Sequence, residues 1–182
     1  MSLFKKLEEL VLIGCEEFKI TDDMLTNLIR PDEDNLLNMR FLNLSDNNIS
    51  ETSLNIVSKK MPKLMTLKIN RNIRVTGKSL RNFKNLIHLE CLGCKRITNK
   101  NLTLFLIRNG KNLRYLDIIG CHRITSDFVK EAIRITKTRS YEKNDNVLKI
   151  NLNLLSATYD EKIECTSPFL ILREIENHYS FY

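Results

Sequence analysis

The chain has 182 residues, 42% of them apolar, and carries a formal net charge of +7. This is enough for one domain with a substantial core and too apolar for wholesale disorder. No run approaches the roughly 18 apolar residues of a membrane span, and the N-terminal stretch turns charged before any apolar run develops, so no signal peptide is expected.

In chain order, the first unit reads Leu7-Glu-Glu-Leu10-Val-Leu12-Ile-Gly-Cys15, then Ile20-Thr21-Asp22-Asp23. Thr21 is placed to cap a helix, with Asp22 and Asp23 favourable to its dipole. Pro31 predicts the end of that helix near Arg30, followed by an acidic loop to Asn35. The second unit, Met39-Arg-Phe-Leu42-Asn-Leu44-Ser-Asp-Asn47, leads to a helix opened by Ser50 and stopped before Pro62. The third, Leu64-Met-Thr-Leu67-Lys-Ile69-Asn-Arg-Asn72, has a short return over Lys78–Lys84, room for a single turn. The fourth, Leu86–Cys94, precedes a helix over Thr98–Arg108 with Gly110 as its stop. The fifth, Leu113–Cys121, precedes a helix over Ser126–Thr136. Lys137–Asn146 reads as a linker, and Val147–Leu155 as a weaker sixth unit that lacks the Asn/Cys position.

The fourth and fifth units are near copies. Leu86–Thr98 and Leu113–Thr125 both spell L-x-x-L-x-[apolar]-x-G-C-x-R-I-T. Their frame, Leu-x-x-Leu-x-Leu-x-x-Asn/Cys, is that of the leucine-rich repeat. A unit of this kind cannot bury its apolar residues alone and must stack on its neighbours. The expected fold is therefore α/β, a horseshoe solenoid with parallel strands on the concave face and helices on the convex face. One domain over 1–182 holds about six repeats, with strands near 9–13, 41–45, 66–70, 88–92, 115–119 and 149–153. Residues 156–182, with Phe169, Tyr179, Phe181 and Tyr182, are expected to cap the C-terminal end. The first repeat begins by residue 7, so other sequence or a partner is expected to cover the opposite end.

Cys91-x-x-Cys94 has the look of half a zinc site or a redox pair. The repeat register argues otherwise. Cys91 takes the slot of Leu12, Leu44, Ile69 and Ile118, and Cys94 that of Cys15, Asn47, Asn72 and Cys121. Both slots point inward, so Cys15, Asn47, Asn72, Cys94 and Cys121 are expected to form a structural ladder at the turns. A small thiol there does part of the work of an Asn amide. No second Cys/His pair stands at zinc spacing, and no metal or cofactor is expected. His88 and His122 have no Ser, Asp or Glu at triad spacing, and there is no Gly-rich phosphate loop, so no enzyme is expected.

Function is expected on the strand residues that flank the inward anchors. Those singled out for partner binding are Phe41 and Asn43, Lys68 and Asn70, His88, Glu90 and Leu92, Tyr115, Asp117 and Ile119, and Lys149 and Asn151. Aromatics mixed with both charge signs and amides suit recognition of a protein surface. Residues 1–57 carry 5 Lys/Arg against 11 Asp/Glu, residues 58–140 carry 20 against 4, and residues 141–182 carry 4 against 7. A basic middle could attract phosphate. The binding column itself holds few cations and no Arg, so nucleic acid is not the expected partner, and binding by the 58–140 segment stays a minor alternative.

The Gly-Cys turns followed by Ile-Thr, as in Ile20-Thr21-Asp22 and Ile124-Thr125-Ser126-Asp127, resemble the cysteine-containing leucine-rich repeat. That subtype is similar to the repeats of F-box/leucine-rich-repeat proteins, the substrate receptors of SCF-type ubiquitin ligases. It also occurs in relatives without an F-box, such as the antagonist-of-mitotic-exit family. The resemblance covers 7–136 well and 147–155 weakly, and repeats two and three depart from it with Asn in place of Cys. It implies a non-enzymatic module that holds a protein substrate. A monomer is expected, and, with no signal peptide or membrane span expected, the cytoplasm or nucleus. Contact with the cullin machinery would need an F-box, and nothing like one precedes residue 7. The alternative is a free-standing adaptor or inhibitor.

Overall fold

The structure is a computed structural model that describes residues 6–29, 36–138, 147–152, 167, 168 and 170–174. Its elements alternate. They are β1 (Glu9–Val11), α1 (Asp22–Ile29), β2 (Phe41–Asn43), α2 (Glu51–Lys60), β3 (Thr66–Lys68) and a 3₁₀ turn at Leu80–Asn82. There follow β4 (His88–Glu90), α3 (Asn99–Asn109), β5 (Tyr115–Asp117), α4 (Ser126–Lys137), β6 (Leu148–Leu152) and β7 (Leu170–Glu174). The seven strands form one sheet in sequence order, every pair parallel. The helices pack in the same order, α1 on α2, α2 on the 3₁₀ turn, the turn on α3, and α3 on α4.

One residue per strand fixes the register. Leu10, Leu42, Leu67, Leu89, Leu116 and Ile150 stand opposite one another across successive strands. From Leu42 onward each is fully buried, worth about 1.5–3 kcal/mol apiece in apolar surface removed from water. Leu10 is only half-buried, because β1 has a neighbour on one side alone among the described residues. The first five regular strands are three residues long, shorter than the sequence pattern implies. Pairing nonetheless runs on beyond them. Leu44 and Asp46 donate to the carbonyls of Lys68 and Asn70, and Cys91 and Gly93 to those of Asp117 and Ile119.

Helix starts fall at the expected positions, Thr21, Ser50 and Thr98, each of which caps its helix. The hydroxyls of Thr21, Ser50 and Thr98 accept from the backbone N–H of Met24, Thr52 and Asn101. The first helical residue of a unit then reaches the next unit's start. Asp22 accepts from the Ser50 N–H and hydroxyl, each at 2.7 Å, and from the Ser53 hydroxyl at 2.6 Å. Glu51 accepts from the backbone N–H of Thr76 at 2.6 Å, Gly77 at 3.0 Å and Ser79 at 2.6 Å. Asn99 accepts from the Thr125 N–H at 3.0 Å and donates to its hydroxyl at 2.7 Å. All three side chains therefore stitch neighbours together, and the carboxylates of Asp22 and Glu51 also favour their own helix dipoles.

Two features differ from the sequence reading. Gly110 closes α3 as expected, but in a right-handed conformation (φ −56°) and not a left-handed turn. What it needs is space, since a Cβ there would stand 2.3 Å from the Leu106 carbonyl oxygen. The segment assigned to capping contains β7, which extends the sheet along all five residues of β6. Leu170 is buried, and the Ser167 hydroxyl accepts from Thr136 in α4 at 2.8 Å. The acidic loop 30–35, the linker stretch 139–146 and the aromatics Phe169, Tyr179, Phe181 and Tyr182 lie outside the described residues.

Candidate functional site

Side chains alternate along a strand, so the residues on either side of each buried Leu point away from the core. Register stacks them into two columns. One runs Glu9, Phe41, Thr66, His88, Tyr115, Lys149 and the other Val11, Asn43, Lys68, Glu90, Asp117, Asn151. Neighbours within a column stand about 4.8 Å apart, close enough for direct contact.

Glu90 is the hub of the lower half. Its carboxylate receives Lys68 Nζ at 2.9 Å, His88 Nε2 at 2.8 Å and Asn70 Nδ2 at 3.2 Å. The His88 hydrogen bond, aided by Lys68 and Asn70 and opposed by burial, holds its carboxyl down to about 2. Lys68 also lies over the Phe41 ring, 5.9 Å from its centroid, within cation–π range. His88 stacks on Tyr115 with ring centroids 4.3 Å apart. Asn70 Oδ1 accepts from the Leu92 N–H at 2.9 Å, which ties the hub to the turn beyond it.

The upper half centres on Asp117. It accepts from the Tyr115 hydroxyl at 3.3 Å, the Ile119 N–H at 3.1 Å and Asn151 Nδ2 at 3.4 Å. Burial, then the Asp117 charge and hydrogen bond, push the Tyr115 phenol up to about 12. Asn151 Nδ2 also donates to the Tyr115 hydroxyl at 2.5 Å, while its Oδ1 and the Ser45 hydroxyl are buried with no partner among the described residues.

Most of the expected contact residues are accessible. Phe41, Asn43, Lys68, Asn70, His88, Glu90, Leu92 and Tyr115 are half-buried, and Lys149 is exposed. Asp117, Ile119 and Asn151 are buried and present little surface to a partner. Position in the stack is the reason. Ile13, in the same slot as Ile119, is 56% exposed on the edge unit, whereas Ile119 between two neighbours is 8% exposed. His122 is exposed and stands apart from the network. Arg173 was missed by the sequence reading. It pairs in register with Asn151 and acts electrostatically on Tyr115. Its signal was the short apolar run Leu170-Ile-Leu, read as capping sequence.

Behind this face runs the turn ladder. Each member donates to a carbonyl of the preceding unit: Asn47 Nδ2 to Leu12 at 2.6 Å, Asn72 Nδ2 to Leu44 at 2.8 Å, Cys94 Sγ to Ile69 at 3.1 Å and Cys121 Sγ to Cys91 at 3.1 Å. Burial raises the Cys94 thiol well above its usual range, so it stays protonated and able to donate. Cys15 departs from the expected ladder. It is exposed, because among the described residues no earlier strand offers a carbonyl. Among those residues no cluster of three His, Cys, Asp or Glu is arranged to hold a metal, and no helix is long and apolar enough to cross a membrane.

No family model matches the chain, and no curated protein matches it. Among solved structures it is similar to a chain in the crystal structure of the Rad7 and Elc1 complex in yeast, with a TM-score of 0.52 and 15% sequence identity. The likeness covers 84% of this chain and 44% of that one. It is a likeness of fold, and this chain spans less than half of the other's length.

Proposed function

We propose that the chain is a leucine-rich-repeat horseshoe whose open sheet face, the concave side, docks a protein, and that it acts as the substrate-recognition part of an SCF-type ubiquitin ligase. The observation that carries the docking reading is the prebuilt network from Lys68 through Glu90, His88 and Tyr115 to Asp117 and Asn151. Polar groups that already satisfy one another lose little when a partner expels water, and the stacked rings offer rigid apolar area. The module contributes affinity and position, not chemistry: it holds a target near transferred ubiquitin and raises its effective concentration. It works as a monomer, in cytoplasm or nucleus. Its fold likeness to a chain of a protein complex is in keeping with this reading.

The test is affinity purification of the tagged protein at its native length. Recovery of a cullin complex together with a protein whose capture is lost on Lys68→Glu supports the proposal. Capture of the protein without any cullin removes the ligase reading and leaves an adaptor.

A further inference from the structure

A second surface lies along the edge where the strands begin. A cleft of about 440 Å³ opens there across four consecutive units. Its floor is the row of residues just before each strand: Arg40, Met65, Ile87 and Arg114. One wall is the row just before each first repeat leucine: Lys63, Asn85 and Asn112. The repeat makes this cleft continuous, because each row sets one slot of the frame beside its copies.

The lining has a definite chemistry. Cations stand at both ends of the floor, two apolar side chains lie between them, and no carboxylate is among the described lining residues. The stretches 59–65, 83–87 and 108–114 that form this edge hold seven Lys or Arg and no Asp or Glu. Arg40 meets Glu8 at 3.7 Å, but both side chains are more than half exposed, and such a pair is weak and readily exchanged. The backbone beneath is saturated. The carbonyls of Arg40, Met65 and Ile87 each accept two N–H groups from the next strand. Side chains alone are therefore on offer, held on a rigid base. Asn85 and Asn112 are tied by their amide nitrogens to the carbonyls of Pro62 and Lys84, which keeps the wall upright.

We propose that this cleft binds an extended acidic peptide segment, with two carboxylates four residues apart and an apolar side chain midway between them. Three strand spacings of about 4.8 Å separate Arg40 from Arg114, about 14 Å in all. An extended chain covers that distance in about four residues. Side chains at i, i+2 and i+4 then face the same way, so the outer two meet the arginines and the middle one meets Met65 and Ile87. Nucleic acid fits less well, since the floor between the cations is apolar and no aromatic is among the described residues that line the cleft, as base stacking would need. The site is separate from the docking face proposed above, and the two can fail independently.

The probe is a fluorescein-labelled peptide, Gly-Glu-Ser-Leu-Ser-Glu-Gly, followed by fluorescence polarisation on the full chain. Wild-type protein is expected to bind it. Arg40→Glu and Lys63→Glu are each expected to weaken binding about tenfold, while Lys100→Glu, exposed in α3, leaves it unchanged. Both altered residues are exposed, and thermal melts check that the fold is kept. A peptide of the same composition with adjacent glutamates is expected to bind at least fivefold more weakly. The proposal is overturned if the wild type does not bind, if Lys63→Glu binds equally well, or if both peptides bind alike and inorganic phosphate displaces them. It is also overturned if a ten-nucleotide single-stranded RNA binds the cleft more tightly than the peptide does.

Discussion

The thiol of Cys121 donates to the carbonyl oxygen of Cys91 at 3.1 Å, the bond that the Asn47 amide makes to Leu12 at 2.6 Å one end of the stack earlier. Two chemically different side chains thus do one job at equivalent positions. They do not do it equally. Asn47 and Asn72 each give three amide hydrogen bonds and also accept one from the preceding unit's helix approach, at Ile20 and Ile49. Cys94 gives one weak thiol bond to Ile69.

Truncation should expose that difference. Asn72→Ala leaves the buried Ile49 N–H without its acceptor and takes one donor from each of the Leu44, Ile69 and Asn70 carbonyls, and is expected to cost about 2–3 kcal/mol. Cys94→Ala removes one weak donor and little volume, for about 1 kcal/mol. Urea unfolding of the two variants measures the gap, and equal losses would contradict the ladder's division of labour.

The residue before each ladder position turns left-handed: Asp46 at φ 62°, Arg71 at 56°, Gly93 at 68° and Gly120 at 70°. Glycine adopts this conformation without strain, and a Cβ costs about 1 kcal/mol. Asp46 and Arg71 tolerate it while bonded to each other through the carboxylate and guanidinium. Gly120→Ala is expected to lower Tm by about 2–4 °C, with Gly120→Asn closer to wild type because Asn accepts left-handed geometry. Differential scanning calorimetry reads the order, and an alanine variant as stable as wild type contradicts it.

Acid should weaken the protein through its bonded carboxylates. Glu90 stays ionised down to about 2 in the native state against an ordinary 4.5. Between those values the unfolded chain takes up the proton first, so this stability is complete above about pH 4.5 and is lost as pH falls toward 2. Burial pushes Glu51 up, but the bonds from Ser79 and Thr76 outweigh it and hold the carboxyl below its usual value, which adds loss on the acid side. Glu90→Gln should be less stable than wild type at pH 7, with a gap that closes by about pH 2. Urea midpoints across that range check it, and a gap independent of pH speaks against the hub.

On the open face, Phe41→Ala and Lys68→Glu are expected to reduce capture of the docked protein by tenfold or more. Lys100→Glu in α3, exposed and remote from the sheet face, is expected to have no effect. Purification with each variant compares them, and equal capture by all three places the partner elsewhere.

Much of this was legible because one repeat slot fixes one role. The buried leucines, the cap at Thr21, the helix starts at Ser50 and Thr98, and the turn positions Asn47, Asn72, Cys94 and Cys121 all follow from the repeat frame. Position along the stack was not legible. The frame gives Ile13 and Ile119 one slot, yet burial separates them, and it gives Cys15 the slot of Cys94 without a carbonyl to bond. β7 was missed because its leucine run carries no copy of the repeat signature. Its place comes from the open hydrogen-bonding edge of β6.

By itself, the sequence determined the period, the inward face and the order of the strands, because each is a local matter of which side chains must leave water. The tertiary structure alone decided how Glu90 gathers Lys68, His88 and Asn70, how Asp22 and Glu51 secure the next unit, and where Arg40 and Arg114 flank a common cleft. His88 apart, which stands two residues before Glu90 on the same strand, those groupings join residues 20 to 74 positions apart, and only the lateral stacking of the strands brings them together.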